Sequence, residues 1–240
     1  MDKYIKLSTD ITNTYNDNDI TNNNNNMKKI DNTPLNYKLL NWTDEKFEYY
    51  NMVKFDTIGD GSCFLHALLM SFYKPYQMNR INRRQFVRDL RTNLSKKLES
   101  KVNPLDQESK IYYDIISNGN LREESKFIPE FSQQSLVKDL DSNKYLSNIY
   151  NEFISDLLNR DIYILDMNKK DVYMTGTDFN ILYKNRLSTV ILYTQNIKFE
   201  TKNHYELIGI LNSNNTVRVG FEPDDKFIIS IRNRMNLLIK

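Results

Sequence analysis

One cysteine and two histidines are the side chains here best suited to nucleophilic chemistry. Cys63 stands in Ile58-Gly59-Asp60-Gly61-Ser62-Cys63-Phe64-Leu65-His66, a Gly-Asp-Gly turn that runs into an apolar stretch ending at Phe72. Glycine takes positive φ at little cost, so Gly59 and Gly61 are expected to turn the backbone sharply into a helix that opens at or beside Cys63. The unpaired amides and positive dipole end of a helix N-terminus favour an anion, and would stabilise the thiolate of Cys63. The same amides could hold the oxyanion of an acyl-transfer intermediate. Against this stands the plain alternative, a small buried core cysteine behind an ordinary turn. The position of a base separates the two.

His66 lies three residues after Cys63 on roughly the same side of the predicted helix and could touch it. It would point back along that helix, however, and its default place is a partly buried helix position beside Leu69 and Met70. His204 sits in Asn203-His204-Tyr205-Glu206-Leu207-Ile208, which reads as a strand. Residues i and i+2 of a strand share a face, so His204 and Glu206 point the same way. A carboxylate beside an imidazole can fix its tautomer and stabilise its protonated form.

Asp60-Gly61-Ser62-Cys63-Phe64 followed by His66-Ala67, with a later Asn203-His204-Tyr205-Glu206, resembles the ovarian-tumour (OTU) family of papain-like cysteine proteases. The first block is the specific part; the layout of the resemblance spans roughly residues 50–212. It implies a nucleophile at Cys63, a general base at His204 and the family's loop aspartate at Asp60. The oxyanion hole would come from the amides of Asp60, Gly61 and Cys63. Glu206 stands where the family usually has Asp or Asn, and is the candidate for orienting His204. The implied activity is that of a deubiquitinase, a thiol-dependent hydrolase of the isopeptide or peptide bond after the C-terminal Gly-Gly of ubiquitin or a ubiquitin-like modifier, with no cofactor and no metal. A catalytically silent ubiquitin-binding module of the same fold is the alternative from another class. An acyltransferase, or a protease for a different tail, is a third. The composition, rich in Asn, Lys, Ile and Tyr, is that of A/T-rich coding sequence, and with the motif spelling it resembles relatives from large DNA viruses.

The rest of the chain must position these groups. It has 240 residues, 40% of them hydrophobic, and a formal net charge of +2, which favours no partner class. Residues 1–34 are dominated by Asn, Asp and Thr and are expected to form a disordered tail; residues 35–240 would then form one catalytic domain. A lone cysteine rules out an intramolecular disulfide, no Cys-His cluster has zinc spacing, and no apolar run approaches the roughly 18 residues needed to span a bilayer. These features lead us to expect a soluble intracellular protein that needs no membrane.

The expected architecture is α+β, a central sheet packed between helices. Trp42 reads as a core or edge anchor. Residues 79–101 read as a helix with Ile81, Phe86, Val87, Leu90, Leu94 and Leu98 inward. Its other face carries Arg80, Arg83, Arg84, Arg88, Arg91, Lys96, Lys97 and Lys101, and such a face is ordinarily solvated, with no nucleic-acid-binding signature beside it. Weaker helical stretches follow around 106–117, 132–140 and 145–159. By the resemblance, residues 118–135 would contact the distal ubiquitin, with Glu123, Glu124 and Glu130 able to meet a basic surface near its tail. Strands are predicted at 161–165, 171–174 and 189–193, then from His204, with an edge at 216–219. The apolar run around Ile191 marks a central strand. A C-terminal helix after Pro223 would pack through Phe227, Ile228, Ile231, Met235 and Leu238.

Overall fold

The computed structural model describes residues 36–40, 42, 46–175, 179–195 and 203–239. The expected polar tail therefore lies outside the described residues. In chain order the elements are β1 (Tyr37–Leu39), β2 (Met52–Phe55), α1 (Cys63–Phe72), α2 (Lys74–Gln77), α3 (Arg83–Glu99), α4 (Asn120–Glu124), α5 (Gln133–Leu140) and α6 (Asn151–Leu158). They continue with β3 (Asp161–Asp166), β4 (Asp171–Val172), α7 (Phe179–Leu182), β5 (Ser188–Thr194), β6 (His204–Leu211), β7 (Val217–Arg218) and α8 (Lys226–Ile239).

The strands form a mixed sheet in the order β1-β2-β6-β5-β3-β4, with β7 paired to β6. Only the β3–β5 pair is parallel among these ladders. As the apolar run predicts, β5 is internal, and β6 lies between it and β2. Side-chain alternation sorts the sheet into two cores. Ile162, Ile164, Ile191, Tyr205 and Leu207 join the helices α1, α3, α5 and α6 on one side. Tyr163, Leu165, Val190, Leu192, Ile208 and Ile210 join Trp42 and α8 on the other. The molecule is thus α+β, with helices on both faces of the sheet.

Every residue of α1 from Cys63 through Ser71 is buried. A helix that is covered all round belongs to the core, and each large apolar side chain buried there contributes roughly 1.5–3 kcal/mol. Trp42 is buried as expected, its indole N–H donating to the Phe47 carbonyl at 2.9 Å. On α8 the expected stripe is buried except for Leu238, which is exposed together with its neighbours Leu237 and Ile239 in the last turn of the helix. Arg234 fixes α8 to β4 through two bonds to Asp171, at 2.8 and 2.6 Å.

Two further expectations need correcting. Residues 106–117 hold no α-helix; the segment is turns followed by 3-10 turns at Tyr112–Asp114 and Ile116–Gly119. Arg91 and Lys97 are not on a solvated face, being only 2% and 4% exposed. Arg91 reaches inward across α3. Its guanidinium donates to the carbonyls of Leu140 (2.9 Å) and Asp139 (2.5 Å) at the end of α5, to the Gly61 carbonyl (3.3 Å) and to Ser62 Oγ (2.9 Å). The cation sits at the negative end of the α5 dipole. Replacing it leaves several buried acceptors unmet, so Arg91→Ala is expected to lower stability by about 3 kcal/mol in urea unfolding. Arg91→Lys should recover only a fraction of this, since an ammonium cannot span the fork.

Candidate functional site

Two contacts, both at Gly61, build the turn that leads into Cys63. Gly61 takes φ +87°, and a Cβ there would meet the Asn143 carbonyl oxygen at 2.3 Å, so both backbone conformation and space demand glycine. The Gly61 carbonyl accepts from the Leu146 amide at 3.1 Å, which fastens the turn to the loop after α5. Gly59 differs from expectation: it has no positive φ, and the atom nearest a Cβ placed on it would be His204 Cε1, at 3.9 Å. Its role is proximity to the histidine.

Ser62 is the N-cap residue of α1, yet its side chain caps no amide. The hydroxyl is oriented toward Arg91 instead. The helix N-terminus is therefore left uncapped, and its amides face the sulfur of Cys63, the first helical residue. Cys63 is buried, and burial pushes its thiol up; the amides of Tyr205, Phe64 and Cys63 itself pull it down, favouring thiolate, while the Asp60 charge opposes them. The Tyr205 amide belongs to the residue after His204. The two motif blocks, with Cys63 and His204 141 positions apart in sequence, thus meet at one place in the fold.

His204 opens β6, paired with Thr194. Its Nε2 lies 3.3 Å from Thr57 Oγ1, and the Thr57 hydroxyl donates its single proton to the Tyr205 carbonyl at 2.5 Å. Oγ1 can then only accept from the ring, so the hydrogen-bond network assigns the proton of neutral His204 to Nε2 and the lone pair to Nδ1. Thr57 was not singled out in the sequence, although its place two residues before the Gly-Asp-Gly turn, next to a strand, was visible. No hydrogen bond joins Cys63 to His204 in the structure.

Glu206 does share a side of β6 with His204, but it is directed elsewhere. Its two carboxylate oxygens bond Lys54 Nζ at 3.0 and 2.9 Å, across the β2–β6 pair. Successive same-face residues stand almost 7 Å apart along a strand, and a lysine on the neighbouring strand meets the carboxylate first. The expected orienting role of Glu206 is not what the geometry displays; Thr57 occupies that position against the ring.

Asp60 also turns away from His204. Its carboxylate accepts from the Ser62 amide at 3.1 Å and lies 3.1 and 3.2 Å from His66 Nε2. His66 is fully buried, with Nδ1 2.5 Å from the Tyr76 hydroxyl. A carboxylate only accepts, so Nε2 donates to Asp60, and Nδ1 accepts from Tyr76. Both ring nitrogens are engaged, which leaves His66 none for Cys63. Among the described residues, the amides of Asp60 and Gly61 donate to no protein group, and that of Cys63 faces only its own sulfur.

Burial holds the His66 imidazole below its ordinary value of 6.5, partly offset by Asp60. A depressed histidine binds its proton more readily in the unfolded chain, so its contribution to stability is complete above pH 6.5 and is lost as pH falls from there to the lower folded value. The urea midpoint is expected to fall between pH 7.5 and 5, and His66→Gln should flatten that decline.

The sequence matches no family model and no curated protein. Among solved structures it is similar to one described as an ovarian tumour (OTU) domain in complex with ubiquitin, with 16% sequence identity and a TM-score of 0.47; the match covers 79% of this chain and 85% of that one.

Proposed function

We propose that this chain is a cysteine-dependent isopeptidase that cleaves after the C-terminal Gly-Gly of ubiquitin or a ubiquitin-like modifier. One observation carries the reading: the thiol of Cys63 lies against uncapped helix amides, in a turn whose Gly59 adjoins a His204 ring with its Nε2 proton committed to Thr57. The motif resemblance to the OTU family supplies the substrate class.

In the proposed cycle, His204 Nδ1 takes the proton of Cys63 and the thiolate attacks the carbonyl carbon of the terminal glycine. The amides of Asp60, Gly61 and Cys63 hold the developing oxyanion. The intermediate collapses, the C–N bond breaks, and the lysine amine leaves with the proton from His204. Water, deprotonated by His204, then hydrolyses the thioester and frees Cys63. Thr57 keeps the ring in the working tautomer, and Asp60 shapes the turn through His66.

A second reading, a silent ubiquitin-binding module, is favoured by the deep burial of Cys63 and by the absence of a hydrogen bond to His204. Labelling by ubiquitin with a C-terminal electrophile separates the two. Wild type and His66→Gln are expected to label, Cys63→Ala not at all, and His204→Ala only very slowly. Thr57→Val should lower kcat roughly 10- to 100-fold with KM little changed, as the base loses its tautomer control. Binding without any labelling would establish the silent module instead.

A further inference from the structure

The turn that leads into Cys63 is bordered by exposed cations. Arg80 lies in the connection into α3, and Arg84 and Arg88 follow on that helix, one turn apart on the same side. All three residues are exposed. Arg84 reaches the turn itself: its guanidinium lies 3.5 Å from a carboxylate oxygen of Asp60, while 63% of its side chain stays in solvent. Among the described residues, the side chains of Arg80 and Arg88 close no ion pair and no hydrogen bond. Their neighbours are engaged. Arg83 donates to the Tyr76 and Gln77 carbonyls and lies over the Tyr76 ring, and Asp89 accepts from Gln85 at 2.8 Å. Asp89 adjoins Arg88 in sequence, and side chains at i and i+1 of a helix do not face each other.

This placement runs against the local electrostatics. Arg83 and Arg84 open α3, whose first turn holds no acidic residue, at the helix end where the dipole disfavours cations. Arg84 and Arg88 are like charges at i and i+4, which repel. Charge held against local preference beside the proposed nucleophile points to an anionic partner. That partner is a peptide by its chemistry. The aromatic rings beside these cations, Tyr73, Tyr76 and Phe86, are engaged with one another or with His66 and Arg83, which leaves no platform for a nucleic-acid base. A carboxylate suits the surface, since Arg84 already meets one in Asp60.

We infer that Arg80, Arg84 and Arg88 form a docking surface for an acidic segment of the protein that bears the modified lysine, so that conjugates with acidic flanks are cleaved preferentially. The inference rests on the function proposed above. On the acyl side of the scissile bond every conjugate presents the same Gly-Gly tail, whereas the lysine-bearing side varies. A charged surface beside the turn selects by what varies.

The test uses ubiquitin joined by an isopeptide bond to lysine peptides flanked by glutamates or by further lysines, and ubiquitin carrying a small fluorogenic amide in place of a peptide. Wild type is expected to cleave the glutamate-flanked conjugate with kcat/KM about 10-fold above the lysine-flanked one, the scale of three exposed ion pairs. That preference should fade as salt is raised. The combined Arg80→Gln, Arg84→Gln, Arg88→Gln variant should lose it and still cleave the fluorogenic amide at the wild-type rate. A wild type without preference, or a preference that the variant keeps, overturns the inference. Equal loss on all three substrates also overturns it, by placing the cations against the modifier or in the support of Asp60. Salt-sensitive binding of a single-stranded oligonucleotide, lost in the variant and accompanied by no peptide preference, would give the surface to nucleic acid instead. Wild type that cleaves none of the three substrates overturns the proposed function and this inference with it; an active wild type indifferent to the flanks overturns the inference alone.

Discussion

A guanidinium carried into the interior by α3 meets no carboxylate there: among the described residues, Arg91 closes no ion pair and bonds only carbonyls and a hydroxyl. The rest of the site depends on this arrangement. Drawing Ser62 Oγ toward Arg91 removes the group that would ordinarily cap α1, and so exposes the helix amides that face Cys63. The same cation ties the end of α5 to the Gly61 carbonyl, which brings the loop carrying Tyr145 and Leu146 against the turn. A buried positive charge with neutral partners is costly in isolation, and the negative end of the α5 dipole supplies part of the compensation.

The electrostatics around Cys63 are balanced between opposing influences. Desolvation favours the thiol, while three backbone amides favour the thiolate, and Asp60 works against them. The carboxylate of Asp60 is shared with His66 and the Ser62 amide, so it is occupied in holding the turn. In the same way Glu206 is neutralised by Lys54. Acidic groups near the site thus serve structure, and the ring of His204 is oriented by an uncharged hydroxyl.

The sheet and its order around β5 could be read from apolar runs, because strands buried on both faces carry a strong periodic signal. The turn at Cys63 was legible too, since Gly61 answers a local backbone need. What escaped were pairings set by tertiary contact. Arg91 looks like any other cation on a helix whose charges alternate with leucines, and only the packing of α5 across α3 shows that it turns inward. Glu206 lies on the correct strand face, yet Lys54, distant in sequence, determines its partner. Thr57 carries no motif, and its role follows from the β2–β6 register, which places it beside Tyr205. Leu238 belongs to a continuous stripe, yet nothing in the sequence marks that the last turn of α8, with Leu237 and Ile239, is left exposed.

Because β6 is inserted between β2 and β5, the centre of the sheet closes only when a segment from late in the chain arrives. Pairings of such long sequence separation form slowly, after local helices. During synthesis α1 can therefore emerge with Cys63 well before His204 exists. The proposed pair is in effect a product of complete folding: a nascent or truncated chain lacking β6 has no His204 to act as the proposed base, and Cys63 gains its neighbour only when the sheet is whole.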